Sequence, residues 1–143
     1  SVRVNKMKKH DVREGYIFFE SLKLCLICCS SVMIQKELFL NCGGFDENLK
    51  ACEDYDLWLK ICKDHPVGFI DKRLVSKFGG HADQLSKILP VMDQYRIQSL
   101  QNLLESKTLN TEQGIWVQEE LELKRSIVEQ GRKKRIANET IRK

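Results

Sequence analysis

Proline is scarce in this chain. Pro66 and Pro90 are the only two in 143 residues, and there are only eight glycines. That scarcity excludes a linker-rich or low-complexity chain. Long apolar runs are missing too. The longest candidate, Leu22 to Ile34, is broken by Lys23 and by Ser30 and Ser31. It falls short of the about 18 residues that a bilayer-spanning helix needs. No apolar stretch directly follows the basic N-terminus, so no secretory leader is expected. A start at Ser1 rather than Met fits a processed or excised piece. No internal repeat is visible. Aromatic residues do not interleave with the basic clusters at either end, Arg3, Lys6, Lys8 and Lys9, then Arg132, Lys133, Lys134 and Arg135. That argues against nucleic-acid binding. It leaves solvated helix ends, or contact with anionic lipid or another polyanion.

What is present fits one soluble globular domain: 42% hydrophobic and 31% charged residues, with a modest net charge of +4. Six cysteines stand at 25, 28, 29, 42, 52 and 62. Cys25-x-x-Cys28 suggests zinc, but no second C-x-x-C or H-x-x-x-H pair completes a four-ligand set. The first three cysteines lie in an apolar run and behave as small hydrophobes. Structural free thiols are expected, with metal or disulfide use as the alternative. Free thiols and the lack of a leader together favour a cytoplasmic location.

Residue spacing predicts a short helix over Tyr16 to Leu26, a strand over Ile27 to Ile34 and a helix over Gln35 to Asn41 ended by Gly43. A loop from Phe45 to Ala51 follows, then a helix over Glu53 to Lys63, which Pro66 cannot let continue. Val67 to Ile70 and Leu74 to Phe78 read as short strands. After Gly79-Gly80 the pattern turns helical. Pro90 suits the first turn of a helix to about Glu105 that buries Met92, Leu100, Leu103 and Leu104. Thr111 is a candidate N-cap for a last helix. There Trp116, Leu123 and Ile127 make one apolar row and Val117, Leu121 and Val128 the next, with Gly131 ending the well-packed part.

The stretch GGFDENLKACEDYDLWL, residues 43 to 59, holds five acids: Asp46, Glu47, Glu53, Asp54 and Asp56. On a helical wheel Asp54 falls between Trp58 and Ile61, about 40° from one and about 20° from the other. Asp54 is therefore expected to share the face of the apolar residues. Asp56 lies about 200° away, on the face expected to meet solvent. An inward carboxylate needs compensation. It can accept backbone N–H bonds as a cap, or line a cleft as a general base or cation ligand. Gly43-Gly44-Phe45-Asp46 is good turn chemistry, and paired glycines also let a backbone approach a ligand closely. His81, flanked by Gly79-Gly80 and Ala82-Asp83, reads as a loop residue with a metal role as the alternative.

Three segments in series carry a family resemblance: Gly43-Gly44-Phe45-Asp46-Glu47, Cys52-Glu53-Asp54-Tyr55-Asp56-Leu57-Trp58-Leu59 and Gly79-Gly80-His81-Ala82-Asp83-Gln84-Leu85-Ser86. In order and spacing they resemble family 2 glycosyltransferases of the GT-A fold. The resemblance is specific over about residues 27 to 90. It extends more loosely to Met92-Asp93-Gln94-Tyr95-Arg96 and Lys133-Lys134-Arg135, which look like the C-terminal helices of a bacterial subgroup. It implies an α/β fold: the C-terminal part of a Rossmann-like mixed sheet, followed by helices. It divides the chain into an acceptor-side half, residues 1–90, and a helical extension, residues 91–143.

The resemblance also implies roles. Asp54, with Glu53 beside it, is expected to take the proton from an acceptor hydroxyl during single-displacement transfer of a sugar, with inversion, from a nucleotide-sugar to a glycan. Polysaccharide or glycoconjugate synthesis is the implied setting. Gly43, Gly44, Phe45, Asp46 and Trp58 would border the donor sugar and the acceptor. His81 would complete a divalent metal site, Mn or Mg, that neutralises the departing nucleotide diphosphate. Such enzymes hold that metal with an Asp-x-Asp motif, which the chain lacks. Asp54-Tyr55-Asp56 cannot serve, because its two carboxylates diverge on one helix. Cys29 also stands near a position where the subgroup often has Pro. The implied reading is thus the acceptor-side portion of an enzyme whose nucleotide-binding half is elsewhere, cytoplasmic and at most peripheral to the inner membrane. A non-catalytic carbohydrate- or partner-binding module and a zinc site at Cys25, Cys28 and Cys29 are the alternatives.

Overall fold

The computed structural model describes residues 12–72, 74–76 and 92–141. Among the described residues there are five α-helices: α1, Phe18–Lys23; α2, Lys36–Asn41; α3, Glu53–Cys62; α4, Met92–Glu105; and α5, Thr111–Ile141. A 3-10 turn, Cys29–Ser31, lies between α1 and α2.

Each helix has local causes. α2 ends in a Schellman close: the Gly44 N–H bonds Phe39 O and the Gly43 N–H bonds Leu40 O, both at 3.0 Å. Gly43 and Gly44 have φ of +84° and +65°, a region open to glycine. α3 starts behind Cys52, itself left-handed at φ 63°. Its first turn carries Glu53, Asp54 and Asp56, which favour the helix dipole. Asn110 caps α5, one residue earlier than expected. Its Oδ1 accepts the Gln113 N–H at 2.9 Å while Gln113 Oε1 accepts the Asn110 N–H at 3.0 Å. That reciprocal pair is a capping box. Gln113 Nε2 also donates to Lys63 O at 2.6 Å, tying the start of α5 to the end of α3.

The expected mixed sheet is not formed among the described residues. Their strand-like pairing is one antiparallel bridge between Gly15 and Val67, with bonds of 2.7 and 2.8 Å. The α/β assignment is therefore corrected to a helical arrangement. Over Ile27 to Ile34 the backbone is extended at Cys28 and Val32 but turns between them. Ser31 drives that turn, with its N–H 3.0 Å and its hydroxyl 3.4 Å from Cys28 O. Val67 to Ile70 and residues 74–76 form no ladder. Apolar, extended residues make a strand only when a neighbour takes their N–H and C=O groups. Here Phe69, Ile70, Leu74 and Val75 stay exposed. Residues 77 and 78 of the last expected strand lie outside the described residues.

α3 is the centre of the packing. One cluster joins its Tyr55, Leu59 and Cys62 to Ile17, Phe18 and Leu22 around α1, Leu100 and Leu103 of α4, and Val117 and Leu121 of α5. A second joins Leu57, Trp58 and Ile61 to Cys25, Ile27, Ile34, Leu38, Phe39 and Cys42. The Tyr55 hydroxyl donates to Leu22 O at 2.6 Å, fixing α1 across α3. Both α4 and α5 follow the expected course, with two corrections. Met92 and Leu104 are half-buried. The row Trp116, Leu123, Ile127 lies at the margin: Trp116 meets Phe19 at 5.1 Å, while Leu123 and Ile127 are exposed. The six-residue α1 is about 9 Å long, too short to cover that row. The buried stripe of α5 instead carries Gln113, Val117, Glu120, Leu121 and Lys124. Beyond Gly131 the side chains of residues 132–138 are exposed, as expected.

Candidate functional site

Leu49 and Ala51, both buried, anchor the loop that delivers the chain to the first turn of α3. Glu53 and Asp54 are half-buried there. Asp54 Oδ1 accepts the N–H of Tyr55 at 2.7 Å, so the cap-like role is partly realised. Its Oδ2 faces the Cys25 thiol, which donates at 3.6 Å. Burial pushes that thiol up to about 12, and the Asp54 charge and hydrogen bond push the same way. Asp54 therefore sits at the edge of the packed interior with one oxygen committed to backbone and the other to a weak donor.

Asp56 overturns the wheel. It is 2% exposed, not solvent-facing, and pairs with Lys60 Nζ at 2.6 Å, at an angle outside hydrogen-bond geometry. The wheel assumed one open face, but the side that carries Asp56 is covered as well. Asp54 faces Cys25, whereas Asp56 pairs with Lys60.

The other candidates are spread out. Gly44 is buried, Gly43 exposed, and Phe45 is exposed with its ring edge-on to Phe39 at 5.5 Å. Asp46 accepts both the backbone N–H and the side-chain amide of Asn48 at 2.9 Å. Those two bonds close the turn and hold its carboxyl below the usual range. Trp58 is 4% exposed in the second cluster, its Nε1 without a hydrogen-bond partner among the described residues. His81 lies outside the described residues, as does the segment from Gly79 to Ser86.

No group of three His, Cys, Asp or Glu able to hold a metal occurs among the described residues. The Mn or Mg site that the resemblance implies rests on His81, which lies outside those residues. The zinc alternative at Cys25, Cys28 and Cys29 finds no support among the described residues. None of the six cysteines forms a disulfide.

Two neighbours of the acid turn were named in the sequence without a role at the site. Cys25 was read as a small hydrophobe or half of a C-x-x-C, and Arg96 as part of the Met92 to Arg96 segment. Arg96, three residues after Asp93, bonds that carboxylate at 3.1 Å and lies 5.7 Å from the Tyr55 ring centroid. Its positive charge opposes the rise that burial causes at the Cys25 and Cys52 thiols.

Comparison with known proteins bears on this same region. Residues 9–69 match the model of "Glycosyltransferase like family 2". The match takes in the Gly-Gly-Phe-Asp loop and all of α3, and stops short of His81. Over 62 residues the chain is 39% identical to an "Uncharacterized glycosyltransferase" of Rickettsia felis, covering 43% of this chain and 10% of that protein. The chain thus spans about a tenth of the length of the relative it matches. No solved structure matches it. The segment around Asp54 is glycosyltransferase-like. No helix among the described residues is long and apolar enough to cross a membrane.

Proposed function

We propose that this chain carries the proton-accepting end of a glycosyl transfer from a nucleotide-sugar to a glycan hydroxyl, with inversion and with Asp54 as the base. The observation that carries the reading is the position of Asp54 on α3. The helix is otherwise buried along most of its length, and Asp54 is held at its rim within a segment that matches glycosyltransferases. A sugar hydroxyl is a poor nucleophile at neutral pH, and a positioned carboxylate removes that obstacle. Oδ1 keeps the Tyr55 N–H, which orients the carboxylate. Among the described residues Oδ2 has only the thiol of Cys25, a weak donor that an acceptor hydroxyl can displace.

In this reading Glu53 supports the acid turn, and the Gly43 to Asp46 loop with Trp58 shapes the ground beside it. Donor binding and departure of the nucleotide diphosphate, with any divalent metal and His81, belong to parts outside the described residues. The nucleotide-binding portion is proposed to be supplied from outside residues 12–141. Asp54→Asn in the whole protein tests the assignment: transfer is lost while donor binding persists. Undiminished transfer removes Asp54 from the mechanism.

A further inference from the structure

A groove of about 360 Å³ runs between α4 and α5. Met92, Asp93 and Arg96 form one wall; Ile127, Val128 and Arg135 form the other. Arg96 is three-quarters buried and held from two sides, by Asp93 and by the face of Tyr55. A guanidinium has five N–H donors. The bond to Asp93 uses one and the Cys52 thiol sits beside the same group, so further donors are left for a ligand. Arg135 belongs to the opposite wall. A Cβ at Gly131 would meet Arg135 Nη1 at 3.7 Å, so the guanidinium folds back over bare backbone one turn earlier.

The groove therefore sets two guanidinium groups against a single carboxylate that is already paired, with Met92, Ile127 and Val128 as apolar wall. Guanidinium forks match phosphate oxygens, and the apolar wall suits the organic part of an ester. We propose that this groove binds a phosphate ester, with Arg96 and Arg135 as its two ligands.

The groove adjoins the acid turn of α3. The Cys52 thiol, next to Glu53, donates to Met92 O at 3.7 Å, and Arg96 packs on Tyr55, next to Asp54. A phosphate held here would place the rest of its molecule near Asp54. Where the transfer reading holds, this makes the substrate bound beside the base a phosphorylated one. The binding site itself does not depend on that reading.

The test is titration of the chain with inorganic pyrophosphate in metal-free buffer, followed by amide NMR. Saturable shifts confined to α4 and the second half of α5 are expected. Arg135→Gln should weaken binding about tenfold, the effect of losing a hydrogen bond to a charged group. Arg125→Gln, an exposed change on the same helix, should leave it unaltered. Arg135 lies on the exposed part of α5, so its variant reads binding even if Arg96→Gln does not fold. A sugar 1-phosphate, a nucleoside diphosphate and a short-chain phosphatidic acid, titrated in parallel, separate the possible sources. Absence of saturable binding by any of these probes overturns the proposal. So does an equal loss in Arg125→Gln, which would mean unspecific charge attraction. Asp54→Asn should bind pyrophosphate like the wild type, so the groove and the base can fail separately.

Discussion

The thiol of Cys25 and the carboxylate of Asp54 meet at 3.6 Å across 29 positions of sequence. The pair joins the segment after α1 to the first turn of α3, and it joins two groups that disfavour each other's negative charge. A thiolate at Cys25 would stand in a half-buried site beside a carboxylate, so the thiol stays protonated well above its ordinary range.

Alkaline pH should therefore unfold the chain. Cys25 is pushed up to about 12 and Cys62 to about 11, both chiefly by burial, from an ordinary value of 9.0. Buried Tyr55 is raised as well. Above pH 9 the unfolded chain releases thiol protons that the folded chain keeps. This contribution is complete below pH 9 and is lost as pH climbs through 11 to 12. Urea midpoints measured from pH 8 upward should fall, and Cys62→Ala should flatten the slope. Midpoints that rise over that range would contradict the assignment.

Core and margin should separate cleanly. Leu59, 1% exposed, packs in the cluster shared by α1, α3, α4 and α5. Leu59→Ala should cost about 2–5 kcal/mol in urea unfolding. Leu123, 54% exposed on α5, should cost within about 0.5 kcal/mol on the same change.

The two glycines after α2 should differ. Both have positive φ, so each alanine strains the backbone, by about 1–3 kcal/mol. At Gly44 a Cβ would also meet the Phe39 ring at 3.3 Å, whereas at Gly43 it meets open space. Thermal unfolding should rank Gly44→Ala below Gly43→Ala.

Glu120 and Lys124 form an ion pair at 2.9 Å on the buried stripe of α5. Lys124→Met leaves Glu120 charged and unpaired in the interior and should cost about 3–5 kcal/mol. The double change Glu120→Leu with Lys124→Met removes both charges and should recover most of that loss. Calorimetric melting of the two variants checks the order.

The helices were legible in the sequence because their signals are local: Gly43 after α2, three acids opening α3, Pro66 behind it. The sheet was not. Ile27 to Ile34 and Val67 to Ile70 have strand-like composition, but a ladder depends on a partner, and among the described residues only Gly15 and Val67 find each other. The wheel put Asp54 in the middle of the apolar face; it is only half-buried, because it stands in the first turn, where the helix emerges from the packing. Asp56, which the wheel put in solvent, is buried, because burial on several faces is set by what packs around a helix rather than by its own period. Arg96 was legible only as part of the Met92 to Arg96 segment, with no role attached. Its role comes from Tyr55 and the groove, which exist only once α4 lies on α3.

The most direct measurement is transfer by Asp54→Asn in the whole protein, followed as nucleoside-diphosphate release from nucleotide-sugars in the presence of acceptor. The account predicts turnover lowered by about 10² to 10⁴, the usual worth of a positioned base, with donor affinity unchanged. Turnover equal to the wild type would contradict it.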